Sequence, residues 1–156
     1  MQEKGIESFF NKFTPNETCA GARMNYAEGL EVALAGRMTA FRTMGKSVFL
    51  DIRDGSDRMQ VYAQKNAIGE EVFELLKKLD LGDFLGVTGS MFTTRTEEIT
   101  LKAKTFTIVG KALRPLPAKW HGLSNIETRY RQRYLDLIAN DNVKQVFYKR
   151  SEIIRE

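Results

Sequence analysis

Between Val32 and Val109 the hydrophobic period runs from two to 3.6 and back to two, and few folds accommodate that order. Val32, Leu34, Gly36 and Met38 alternate with Ala33, Ala35, Arg37 and Thr39, the pattern of a strand with one buried face. The turn-like Met44-Gly45-Lys46 leads into residues 47–53, and Asp54-Gly55-Ser56-Asp57 leads into residues 58–63, so two hairpins join three strands. Over 67–80 the period lengthens, and Ile68, Val72, Leu75, Leu76 and Leu79 fall on one helical stripe. Residues 83–92 and 98–109 then read as two further strands around a polar turn at 94–97. Gly36, Gly86 and Gly89 stand where strands can coil or bulge tightly.

Three strands, a helix and two strands is the order of a five-stranded OB-fold barrel, β-β-β-α-β-β, so the fold class is mainly β. Upstream, Ile6, Phe9, Phe10 and Phe13 predict a short N-terminal helix ending before Pro15, while residues 14–31 lack a period and read as loop. Downstream, Pro115 and Pro117 fix φ and remove backbone donors, which makes a stiff connector. Ser124 and Glu127 then have the spacing of a capping box, and Ile126, Tyr130, Tyr134, Leu137 and Ile138 follow as one apolar helical face, with Arg129, Arg131 and Arg133 at other angles. A second helical pattern, with Val143, Val146, Phe147, Ile153 and Ile154, is still running at Glu156, so the sequence is expected to be the front of a longer chain. The expected organisation is an N-terminal helix and loop over 1–31, a barrel domain over 32–110, and a linker with a C-terminal helical extension over 111–156.

The 156 residues, 42% of them hydrophobic, can form a core without disulfides. A single cysteine, Cys19, and a single histidine, His121, exclude an internal disulfide and a Cys/His zinc site. Cys19 reads as a loop or packing residue, and Trp120 and His121 as connector packing. No apolar run approaches the roughly 20 residues that span a bilayer, and the start lacks a basic-then-apolar leader, so no membrane partner and a cytoplasmic location are expected. The net charge of +4 is uneven: residues 111–156 hold ten Lys/Arg against five Asp/Glu, and residues 1–110 hold fourteen against fifteen. Bulk charge therefore does not make the barrel a nucleic-acid binder, although residues 32–66 carry six basic side chains against three acidic ones.

The second strand singles out one face. Val48, Leu50 and Ile52 share the apolar parity, which leaves Phe49 on the polar side with Asp51 and Arg53. On the third strand Met59, Val61 and Ala63 are apolar, so Arg58, Gln60 and Tyr62 come beside Phe49 across the hairpin. OB-folds use this surface for single-stranded nucleic acid: a ring stacks on bases, an amide reads a base edge, and cations hold phosphate. Pattern alone leaves two possibilities for Phe49, stacking on a ligand or packing beneath another segment. It also leaves open a general single-strand binder that takes any pyrimidine-rich strand. Asp51, Asp54 and Asp57 lack the 12-residue calcium-loop pattern and read as a solvated hairpin.

Two stretches carry a family resemblance. The run from Lys111 to Leu123 with its continuation from Glu127 to Leu137, and residues 35–49 together with Arg58-Met-Gln-Val-Tyr62, resemble bacterial-type class II lysyl-tRNA synthetases. The resemblance covers residues 32–156, from the anticodon-binding barrel into the first helix of the catalytic domain. It implies a full-length enzyme, lysine–tRNA ligase, that joins lysine to its tRNA through lysyl-adenylate, with ATP and Mg2+ as cofactors. It further implies lysine tRNA as partner through the anticodon loop, a homodimer, and no DNA. The 156 residues stop before the motifs that hold ATP and lysine, so alone they are expected to need no cofactor, to have no catalytic residues and to be inactive. The family's anticodon residues fall here on Arg42, Phe49, Gln60 and Glu98: the ring and guanidinium would stack with central bases, and Gln60 and Glu98 would bond base edges. Arg42 has the apolar parity of its strand and needs a bulge or strand end to face the ligand. The turn reads Thr96-Glu97-Glu98 where the family usually has Thr-Gly-Glu, and Glu98 has the alternative of pairing with Lys102 or Arg95. A third reading, the synthetase-like extension of a membrane-bound lysyl-phospholipid transferase, finds no sufficiently hydrophobic segment here.

Overall fold

The computed structural model describes residues 12–116 and 123–156. The expected helix at Ile6, Phe9 and Phe10, the second connector proline Pro117, and Trp120 and His121 lie outside them. Two compact units form, Met1–Leu113 and Arg114–Glu156.

The first unit is a closed barrel of five strands: β1 (Glu31–Met44), β2 (Ser47–Arg53), β3 (Arg58–Gln64), β4 (Phe84–Thr93) and β5 (Ile99–Gly110), in the spatial order β1-β2-β3-β5-β4. The β1–β2, β2–β3, β1–β4 and β4–β5 pairs are antiparallel, and the β3–β5 pair that closes the barrel is parallel. Inward residues are those of the predicted parity: Leu34, Met38, Val48, Leu50, Ile52, Met59, Val61 and Ala63 are fully buried. Each large side chain among them contributes about 1.5–3 kcal/mol of transfer free energy.

Three departures from the sequence reading have local causes. The helix expected over 67–80 is two helices, α2 (Lys65–Ile68) and α3 (Glu70–Leu76), because Gly69 takes φ +86°, which ends one and opens the other. The rotation brings Phe73, outside the predicted stripe, into the barrel core with Ile68, Leu76 and Leu79. The stretch 14–31, read as loop, contains α1 (Cys19–Met24), whose six residues are too few to show a period. The Thr18 hydroxyl caps it by accepting from Gly21 N, and Cys19 and Ala22 form its buried face.

The α1 helix is held to the barrel by the hairpin of aspartates. The Cys19 amide donates to Asp54 Oδ2 at 2.8 Å, while Asp54 Oδ1 accepts from the amides of Ser56 and Asp57 and from the Ser56 hydroxyl. Burial opposes the Asp54 charge, but these donors prevail and hold its carboxyl down at about 2. Burial, then the neighbouring Asp54 charge, pushes the Cys19 thiol up to about 12, so Cys19 is an inert packing residue. Among the described residues no group of three His, Cys, Asp or Glu is placed to hold a metal ion, and no helix is long and apolar enough to cross a membrane.

The second unit holds α4 (Ile126–Arg131), α5 (Arg133–Ala139) and α6 (Asp141–Arg155). The predicted capping box is displaced by one residue: Asn125, not Ser124, is the cap, and its side chain accepts from Thr128 N at 2.8 Å. The single helix expected after it breaks at Gln132, which takes φ −116° and ψ 60°. Asp136 forms the polar centre of this unit. It is fully buried and accepts from Arg129 Nε and Asn140 Nδ2 at 2.9 and 2.6 Å, and from Arg133 Nη1. Two of the three arginines on the basic helix are thereby committed to an internal ion pair, and Arg131 pairs with Glu127. The apolar face predicted from Ile126, Tyr130 and Tyr134 is exposed in this unit.

Candidate nucleic-acid interface

A β-bulge decides the site. In the β1–β2 ladder Met38 pairs with Ile52 but Ala40 pairs with Asp51, so Thr39 is an extra residue and the facing of β1 inverts beyond it. Arg42, which has the inward parity counted from Val32, is thereby brought opposite Phe49, and Phe49 opposite Tyr62. Three successive strands present Arg42, Phe49 and Tyr62 in one row on the outer face.

The row lines a groove of about 680 Å³. Phe49 and Tyr62 lie with ring centroids 4.8 Å apart and tilted by 39°, and Phe92 of β4 continues the row at 5.9 Å from Tyr62. The Ser47 and Tyr62 hydroxyls are 3.2 Å apart at one side. Gln60 lines the groove beside Tyr62, and its Oε1 accepts from the buried Thr100 hydroxyl at 2.9 Å. The Gln60 amide group is thus oriented, with its NH₂ donors left for a ligand. Arg42 and Arg95 supply positive charge along the lining. An aromatic floor, an oriented amide and flanking cations are the parts that bind unpaired bases and their backbone.

Of the four residues singled out in the sequence, Arg42, Phe49 and Gln60 meet in this groove, whereas Glu98 stands beside it and does not line it. Glu98 pairs with Arg58 rather than with Lys102 or Arg95. Its Oε1 accepts from Arg58 Nη2 at 2.8 Å and lies 3.6 Å from Arg23 Nη1. Thr94 holds the turn before it, accepting from Glu97 N through its carbonyl, and from Glu98 N through its hydroxyl at 3.1 Å. Glu97 is the one non-glycine described residue with positive φ, at 59°. This is the position where the resembling family usually carries glycine, so the turn keeps its shape at the cost of a left-handed glutamate. Replacing it, Glu97→Gly, is expected to stabilise the barrel by about 0.5–1 kcal/mol in urea denaturation, the relief of left-handed strain less the added chain entropy. No gain would mean that the turn relaxes around Glu97.

The sequence pattern did not place Phe92 in the site and offered Arg95 only as an ion-pair partner of Glu98, whereas both line the groove. Phe92 had a legible signal, since it has the opposite parity to the buried Met91 and is an aromatic on the polar side, as Phe49 is. The Arg23 contact had none, because it joins residues distant in the chain.

A barrel with this outer face belongs to a known class. Residues 32–109 match the tRNA anticodon family, OB-fold nucleic acid binding domain, and the chain belongs to that family. Its relatives include proteins named lysine–tRNA ligase: that of Pelotomaculum thermopropionicum is 48% identical over 157 residues, that of Moorella thermoacetica 48% over 157, and that of Enterococcus faecalis 45% over 165. These matches take in 99–100% of this chain and 31–33% of the relatives, so the chain spans about a third of the length of the curated relatives it matches.

Proposed function

We propose that the barrel recognises the anticodon loop of lysine tRNA as part of a class II lysine–tRNA ligase, a cytoplasmic homodimer when full-length. The observation that carries this reading is the side-by-side placement of Arg42, Phe49 and Gln60 on one groove of a barrel whose relatives are lysine–tRNA ligases. Phe49 stacks on a central base, Arg42 covers it and meets phosphate, and the oriented Gln60 amide reads a base edge. Glu98 accepts from a uracil ring N–H at the groove's border. Residues 111–156, the linker and the helices after it, lead into the catalytic domain of the longer enzyme, and ATP and Mg2+ act in the remainder of that domain. The 156 residues alone form no lysyl-adenylate.

Base reading and backbone holding separate in one experiment. Stem-loops carrying UUU or a substituted anticodon are titrated against wild type, Gln60→Ala and Glu98→Ala at fixed salt. Each variant is expected to reduce the preference for UUU by about 1–3 kcal/mol while binding the substituted loop nearly as wild type does, since losing an edge contact removes discrimination. Raising salt weakens both loops together. Equal binding of both loops by wild type would replace this reading with a general single-strand binder.

A further inference from the structure

Glu98 is not free to orient itself, and what orients it lies outside the groove. Arg58 of β3 spans two carboxylates, donating from Nη1 to Asp51 Oδ2 at 3.1 Å and from Nη2 to Glu98 Oε1 at 2.8 Å. The two ends differ in burial. The Asp51 side chain is 9% exposed, and its Oδ1 is buried without a hydrogen-bond partner among the described residues, whereas the Glu98 side chain is 30% exposed. A buried carboxylate with one oxygen unsatisfied depends heavily on the cation at the other, so Asp51 pins the guanidinium, and the pinned guanidinium in turn holds the more exposed Glu98. From α1, Arg23 Nη1 donates to the Arg58 carbonyl at 3.2 Å and approaches the same Glu98 oxygen at 3.6 Å, with Nε 3.8 Å from Asp57. Both guanidiniums reach Oε1.

We infer that Arg58 is a positioning residue for base discrimination: anchored on Asp51 and braced by Arg23, it holds Oε1 of Glu98 so that Oε2 is presented as a fixed acceptor to a base ring N–H. This rests on the anticodon reading above and adds residues that the groove itself does not contain. The planar fork of arginine is essential to it, because a lysine ammonium is a point charge that does not grip two carboxylates in one fixed geometry.

The test uses the whole 156-residue chain, with UUU and substituted stem-loops titrated against Arg58→Lys, Glu98→Ala and the double variant. Arg58→Lys, which keeps the charge beside Asp51, is expected to lower the UUU preference by about fivefold, the low end of one base-edge contact, with the salt dependence unchanged. In the Glu98→Ala background it should add nothing, since there is no carboxylate left to position. A folded Arg58→Lys chain with wild-type preference, or a full further loss on top of Glu98→Ala, overturns the inference while leaving the anticodon reading intact. Equal binding of both loops by wild type overturns the two together. If Arg58→Lys does not fold, Asp51→Asn serves instead, because it releases the anchor without stranding a buried charge. It must lower the same preference, and an unchanged preference there is equally fatal.

Discussion

Phe49→Ala lowers the affinity of the chain for a lysine-tRNA anticodon stem-loop by about 5- to 150-fold at fixed salt, the equivalent of roughly 1–3 kcal/mol of lost stacking. The expectation rests on the ring's place in the row: it stands opposite Arg42 on one strand and Tyr62 on the other, and it lines the groove. Both loops, UUU and substituted, should weaken, because every base has a π-face and stacking is tolerant of sequence. That separates Phe49 from Gln60 and Glu98, whose loss acts on preference. The inward neighbours Val48 and Leu50 are fully buried and untouched by the change, so the variant should keep the wild-type circular dichroism spectrum. A folded Phe49→Ala chain that binds both loops as wild type does would return Phe49 to the packing role that pattern alone left open.

Gly89→Ala should destabilise the barrel by about 3 kcal/mol, near the upper end of what overpacking costs. A Cβ built on Gly89 lies 2.0 Å from the Lys102 carbonyl oxygen and 3.0 Å from the Ala103 Cα, both backbone atoms that no rotamer change can clear. The close approach is made by a bulge: Thr88 pairs with Thr105 and Gly89 with Ala103, so Lys104 is extra and the two backbones draw together as the barrel closes. Gly55→Ala is the control, since a Cβ there meets nothing within 4 Å and the cost should stay within about 0.5 kcal/mol. Urea unfolding followed by circular dichroism compares the three chains. Coincident midpoints for Gly89→Ala and wild type would show that β4 and β5 can separate without penalty.

Much of the fold is legible in the sequence. The alternation of Val48, Leu50 and Ile52 with Phe49, Asp51 and Arg53 sets the facing of β2, because adjacent side chains on a strand must point to opposite sides, and the same logic carries Gln60 and Tyr62 onto that face. The helix between the third and fourth strands was visible as a stripe, but its break at Gly69 and the capture of Phe73 were not. Periodicity reports a face and is blind to a single residue with positive φ. Within the groove, Phe49 and Gln60 follow from parity alone. Arg42 does not, since its parity points inward until the Thr39 bulge inverts it.

What the sequence by itself determined is therefore local and periodic: five strands and their buried faces, the turns between them, and the aromatic residue set among polar ones. Those properties are written in neighbours one to four positions apart, where backbone geometry alone relates one side chain to the next. The tertiary structure decided the rest. Which residue bulges depends on how strands of unequal curvature close a barrel, and the pairing of Arg58 with Glu98, forty residues on, exists only once β3 and β5 lie parallel at the seam. The grip of Asp54 on Cys19, thirty-five residues apart, likewise forms only when the second hairpin swings under α1. Contacts of this kind leave no period in the chain, because the distance that matters to them is measured through space.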